Sequence, residues 1–218
     1  MYSPVPIKRS TKFGNNYWEV YGRKVNRNVR LFSDLEYDNW IMIEGDPQVA
    51  TYCEQPLLIS YQLDNRVVNS IFDMWVQYLD GREVFMEVKY SKELLINNKD
   101  SERSLRQTKV QKLWCEERGF TYTIRTEKDI RQNRIFLSNM KLVISQVKNR
   151  QKPNDLYYYK IIKGLQRIRV KLSDFEDSFS SISKARMREI ICWLIYEGKI
   201  NCNADEVLIG DDLEVWLK

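Results

Sequence analysis

The chain has 218 residues, with 35 Lys and Arg against 30 Asp and Glu and no histidine. The missing imidazole excludes histidine-based hydrolysis, and carboxylates working with a divalent ion are almost the only hydrolytic chemistry left. A hydrophobic content of 43% supports one substantial domain, alone or with a small companion. No apolar run is long enough to span a bilayer and the first residues have no signal-peptide character, so a cytoplasmic protein is expected.

Residues 1–30 carry Lys8, Arg9, Lys12, Arg23, Lys24, Arg27 and Arg30 against the single acid Glu19, with Tyr17, Trp18 and Tyr21 between them. This composition predicts an extended basic arm suited to a phosphate backbone, or alternatively a solubilising tail. A helix is expected from Ser33 to Gly45, where Asp46-Pro47 stops it. Extended segments follow at Gln55–Leu63 and Arg66–Leu79, with a turn at Asp64-Asn65. Asp80-Gly81 is a hairpin signal leading into Arg82–Lys89, where Phe85, Glu87 and Lys89 share one face. A second helix is expected from Glu102 to Glu117, closed by Gly119, and a strand over Phe120–Arg125. A weaker helical stretch covers 133–147.

Residues 149–156 read as a basic linker, separating a domain over 31–148 from a small one over 157–218. In the latter, Ser173 and Glu176 form a capping-box pattern. Ser183–Glu197 is an amphipathic helix ended by Gly198, and Lys199–Cys202 and Glu214–Leu217 are short strands. Helices followed by a small hairpin suggest a winged-helix unit. Cys53, Cys115, Cys192 and Cys202 have no metal-site spacing and read as reduced thiols.

The chemistry-bearing pattern is Glu36, Asp73 and Glu87-Val88-Lys89. Phosphodiester hydrolysis needs charge on the phosphoryl oxygens neutralised and a water activated, which Mg2+ held by carboxylates can do. Asp73, among Ile71, Phe72, Met74 and Trp75, suits a central ligand, since an unpaired carboxylate there is costly. Glu87 is the candidate second ligand, the Val88 carbonyl a third, and Lys89 the group that orients water or stabilises developing charge. Each has a plainer reading. Asp73 can be a salt-bridged edge residue, Glu87 and Lys89 a solvated strand face, and Glu36 the capping partner of Ser33.

The spacing resembles the PD-(D/E)xK, restriction-endonuclease-like superfamily. More closely, Leu31-Phe32-Ser33-Asp34-Leu35-Glu36, Ser70-Ile71-Phe72-Asp73, Met86-Glu87-Val88-Lys89 and the helix over 107–119 resemble TnsA, the endonuclease subunit of Tn7-like transposons. The resemblance covers roughly residues 22–147. It implies an α/β fold with a mixed sheet flanked by helices and a small C-terminal winged-helix-like domain. It also implies Glu36, Asp73 and Glu87 as metal ligands, Lys89 as the catalytic lysine, and Mg2+, with Mn2+ as a substitute, as cofactor. The implied activity is cleavage of double-stranded DNA at the 5′ ends of the transposon. The implied partners are a DDE transposase (TnsB-like) and an AAA+ regulator (TnsC-like) docking on the C-terminal domain, and the implied setting is a prokaryotic cytoplasm, with nucleoid association when on DNA. The alternatives are a freestanding restriction, repair or resolvase-type nuclease and a catalytically inactive DNA-binding assembly subunit.

Overall fold

A computed structural model describes residues 2–6, 16–96, 98–165 and 169–218. Lys8, Arg9 and Lys12 lie outside the described residues. The backbone divides into two compact units, residues 1–43 with 48–132, and residues 44–47 with 133–218. The division therefore falls before the helix over 134–147, whereas the sequence put that helix in the first domain and the boundary at 149–156.

The first unit begins with an antiparallel hairpin, β1 (Trp18–Gly22) and β2 (Arg27–Leu31), in which Trp18 faces Leu31 and Gly22 faces Arg27. This corrects the expectation of an extended arm over these residues. Val29 and Leu31 alternate inward with no exposed surface, and Arg27 is fixed by Glu54 at 2.6 Å. The turn is allowed by Asn26 at φ 52°, a conformation asparagine tolerates.

Helix α1 (Asp34–Gly45) starts where the Ser33 hydroxyl accepts a hydrogen bond from the Glu36 amide at 3.1 Å. Leu35, Trp40 and Ile41 bury its inner face. The strands β3 (Val49–Glu54), β4 (Leu58–Leu63), β5 (Arg66–Ile71), β6 (Met74–Tyr78) and β7 (Glu83–Val88) follow. Helix α2 (Glu102–Glu116), β8 (Thr121–Arg125) and the single turn α3 (Glu127–Ile130) complete the unit.

The central sheet has the order β3-β6-β7-β8. β7 pairs antiparallel with β6 and parallel with β8. The pair β4-β5 forms a separate two-stranded ribbon, turned by Asp64 and Asn65 at φ 49° and 62°. The expected single strand Arg66–Leu79 is thus two strands in two sheets, interrupted at Phe72 and Asp73. Phe72 has no exposed surface and packs against Phe85 and Trp114. Its burial turns the chain out of the ribbon and into the sheet. Asp73 is held at the turn by its amide, which donates to the Met86 carbonyl at 3.2 Å, and its carbonyl, which accepts from the Gln55 amide at 3.0 Å.

β7 is buried on both faces. Phe85 lies in the aromatic and aliphatic core beneath α2, with Phe72, Trp75, Val110 and Cys115. Val88 lies on the other side with Leu35 and Ile130. Gly119, at φ +71°, closes α2 and returns the chain to β8.

The second unit contains α4 (Arg134–Val147), α5 (Leu156–Gly164), β9 (Val170–Lys171), α6 (Leu172–Asp177), α7 (Lys184–Tyr196), β10 (Ile200–Cys202) and β11 (Glu214–Leu217). Its three strands are antiparallel in the order β10-β11-β9. Asn133, Asp155 and Ser183 cap α4, α5 and α7 with their side chains.

The expected Ser173 cap does not form. The helix starts two residues earlier than such a cap would place it, at Leu172, whose side chain is fully buried and whose amide donates to the Leu213 carbonyl at 2.7 Å. Glu176 is instead buried against Arg188 at 2.6 Å. All four cysteines are free. Among the described residues no helix is long and apolar enough to cross a membrane.

Gly198 ends α7 at φ +64°, with a built Cβ only 2.6 Å from Pro47. Gly198→Ala should destabilise the protein by about 1–2 kcal/mol from the left-handed backbone alone, and by more once Pro47 is displaced. Urea unfolding followed by tryptophan fluorescence checks this, and an unchanged midpoint would contradict it.

Candidate active site

The site is built where the break before β6 meets the end of β7. Glu87 is the innermost member, with no exposed surface. Its Oε1 accepts from the Gln107 amide at 2.7 Å and pairs with Lys89 Nζ at 2.8 Å. Its Oε2 accepts from Gln111 Nε2 at 2.7 Å. The Gln111 carbonyl oxygen in turn accepts the Tyr122 hydroxyl at 2.8 Å. That bond fixes which end of the amide faces Glu87. Ser70 Oγ and the Ile71 carbonyl accept from the same Gln111 nitrogen at 3.0 and 3.2 Å.

Asp73 is half-buried and lies beside this cluster, its Oδ2 accepting from the Val88 amide at 2.7 Å. The residue whose carbonyl the sequence proposed as a ligand therefore also anchors Asp73 through its N–H. Asp73 lies close enough to Glu87 for its charge to raise the Glu87 carboxyl. Glu36 is half-buried at the first turn of α1. Its Oε2 accepts from the Phe32 amide at 3.1 Å and its Oε1 from the Ser33 hydroxyl at 3.0 Å. Glu36 thus takes a capping position, reaching the Phe32 amide rather than that of Ser33, and still feels the charge of Asp73.

The electrostatics follow from three carboxylates gathered in partly dry surroundings. Burial, then the Asp73 charge, pushes Glu36 up to about 8, and the same two causes push Glu87 up to about 8. Burial also raises Asp73, against the pull of Lys89 and the Val88 amide. Burial opposes the charge on Lys89, but Glu87 and Asp73 outweigh it and hold the ammonium above its ordinary range. Lys89 is consequently a cation and hydrogen-bond donor at neutral pH, not a base.

Among the described residues, no group of three His, Cys, Asp or Glu side chains is arranged to hold a metal ion. Each acid has hydrogen bonds to protein groups. The donors are nonetheless of the right kind for a hard ion: Mg2+ takes one or two carboxylates and keeps several waters. Once ionised, Glu36, Asp73 and Glu87 against Lys89 would carry an excess of negative charge that a divalent cation would offset.

Of the basic residues singled out in the sequence, Arg27 is committed to Glu54 and Lys24 Nζ donates to the Val49 carbonyl at 2.7 Å. Arg30 is exposed on β2 and Arg23 lies in the preceding turn. The sequence reading gave no role to Gln111 or Tyr122 and treated Gln107 only as part of a helix. The available signal was the i,i+4 spacing of Gln107 and Gln111, which sets both amides on one helix face.

The raised acids make stability depend on pH. A carboxyl group that holds its proton more tightly when folded loses stability as pH rises from its unfolded to its folded value. Metal-free protein should therefore lose stability from near 4.5 towards about 8, and Asp73→Asn should flatten the decline. Urea midpoints across this range decide the matter; a wild-type midpoint that stays level or rises would contradict the charge balance.

Residues 46–127 match the family model described as TnsA-like endonuclease N terminal. No curated protein matches the chain. The matched span contains Asp73, Glu87, Val88, Lys89, Gln107 and Gln111, while Glu36 precedes it. Residues 46–127, which carry β3 to β8 and α2, are thus similar to the N-terminal domain of TnsA-like endonucleases.

Proposed function

We propose that this protein is a divalent-metal-dependent DNA endonuclease subunit that cleaves the 5′ ends of a Tn7-like transposon beside a DDE transposase. The observation that carries this reading is the meeting of Asp73, Glu87 and Lys89 at the end of β7, within electrostatic reach of Glu36. The family match over the same strands supports it.

Asp73 and Glu36, the two half-buried acids, and Glu87 with the Val88 carbonyl are the groups that would hold Mg2+ or Mn2+. When bound, such an ion supplies Lewis-acid stabilisation of the phosphoryl oxygens and a more acidic attacking water. Lys89 donates from Nζ to the oxygen on which negative charge develops, or to the attacking water. Glu87 keeps that ammonium in place at 2.8 Å. Gln107, Gln111 and Tyr122 are positioning residues: they fix Glu87, and through it Lys89.

In the second unit, the succession α5, β9, α6, α7, β10, β11 with strand order β10-β11-β9 supports a winged-helix reading. Its α7 is buried over most of its surface. Arg186 of α7 is paired with Asp155 and Glu189, and Arg188 with Glu176 and Asp211. A helix whose arginines are neutralised within its own unit is poorly suited to reading DNA. This favours a protein partner for the second unit, in keeping with an AAA+ regulator.

The second reading is an inactive assembly subunit, favoured by the acids' existing hydrogen bonds to protein. Reconstituted end cleavage with the transposase and Mg2+ separates the two. Lys89→Ala should lower 5′ cleavage by roughly 10²–10³-fold, the scale of losing one charge-stabilising donor. Asp73→Ala should abolish it. Near-normal nicking by Asp73→Ala would overturn the nuclease reading, and wild-type protein that assembles without cutting would establish the inactive one. Glu36→Gln distinguishes ligand from cap: a ligand loses activity, whereas a cap changes stability alone by about 0.5–2 kcal/mol.

A further inference from the structure

We propose that the groove between the β4-β5 ribbon and the first turns of α2 receives the DNA backbone beside the scissile phosphate, with Arg103 and Arg106 as its phosphate contacts. The inference rests on the nuclease reading and adds a substrate-binding surface distinct from the basic N-terminal residues.

The groove has a volume of about 680 Å³, and its walls include Val67, Asn69 and Ile71 on the ribbon and Arg103, Arg106 and Gln107 on α2. Among the described residues no carboxylate lines it. Arg103 and Arg106 are exposed, and among the described residues neither has an ion pair or a hydrogen bond. That sets them apart from Arg27, Arg131, Arg186 and Arg188, each of which pairs with an acid. Two adjacent guanidinium groups in an acid-free groove are complementary to a phosphate-bearing ligand, which they can grip through paired N–H donors.

The groove adjoins residues that hold the active-site carboxylate Glu87. Gln107 lines it and also donates to Glu87 at 2.7 Å. Ser70 lines it and accepts from Gln111, the other amide on Glu87. Arg103 and Gln107 are four residues apart on one helix, hence roughly 6 Å apart at their Cβ atoms. A strand whose phosphodiester reaches Asp73 and Lys89 is therefore within reach of these arginines at a neighbouring phosphate. On the other side of Arg106 the surface becomes mixed, with Asp64 and Glu102 lining a neighbouring hollow together with Arg106 and Lys109, so the assignment stops at Arg106.

The test is a binding titration of the full chain with a fluorescein-labelled, random-sequence DNA duplex, without divalent metal, at several salt concentrations. The double variant Arg103→Ala/Arg106→Ala should bind about 10-fold more weakly at low salt. Its slope of log affinity against log salt should be shallower by roughly 1.8, the counterions of two phosphates. Arg103→Lys/Arg106→Lys should retain most of the slope.

Arg82→Ala/Arg118→Ala, which removes the same charge from elsewhere on the first unit, should change the slope much less. Equal losses in this control, an unchanged slope in the alanine pair, or no wild-type binding at low salt would each overturn the proposal. Failure of the nuclease reading is recognised separately. A wild-type chain that binds through these arginines but never cleaves with the transposase sinks that reading and leaves the groove standing.

Discussion

Glu87 is a carboxylate in the middle of a sheet with no access to water, and the first unit is organised around making that position tolerable. A buried carboxylate without partners is strongly unfavourable. Here Lys89, Gln107 and Gln111 satisfy both oxygens. The requirement fixes the relation of α2 to β7, because two amides one turn apart must both reach one strand residue. Tyr122 on β8 then fixes the amide orientation of Gln111. Strand, helix and neighbouring strand are thereby tied by one polar chain, while the aromatic cluster of Phe72, Phe85, Trp114 and Phe120 fills the apolar space beneath the same helix.

The break at Phe72–Asp73 is the second constraint. It separates the ribbon from the sheet and brings Asp73 alongside the Val88 amide. The outcome is electrostatically strained: Glu36 and Glu87 are each pushed to about 8, by burial and by Asp73. Like charges kept together at the expense of stability are a common mark of a functional site. An ion-binding role gives the arrangement a physical reason that packing alone does not.

Much of the fold was legible from local signals. Ser33-Asp34-Leu35-Glu36 marks the start of α1, Asp80-Gly81 the hairpin before β7, and Gly119 the end of α2. Each works through its own backbone preferences and needs no knowledge of the rest of the chain. The failures share a tertiary cause. The break in Arg66–Leu79 contains neither glycine nor proline and arises from Phe72 entering the core. The hairpin over 18–31 was hidden by its charge, because the partner of Arg27 lies 27 residues away at Glu54. Ser173 was displaced as a cap by the burial of its neighbour Leu172. In the site, the acids and Lys89 stood out by type and spacing. Gln107, Gln111 and Tyr122 did not, since a glutamine that holds a buried carboxylate is recognisable only once the helix above the strand is known.

On the proposed reading, Asp73, Glu87 and Glu36 would hold a divalent cation rather than serve as a purely structural acidic cluster. Calorimetric titration of the metal-free chain with Mn2+ tests it most directly, comparing wild type with Asp73→Asn, a substitution that keeps an acceptor for the Val88 amide and removes the charge. Saturable binding to wild type that is lost in the variant is expected. Equal binding by both proteins, or none by either, would contradict it.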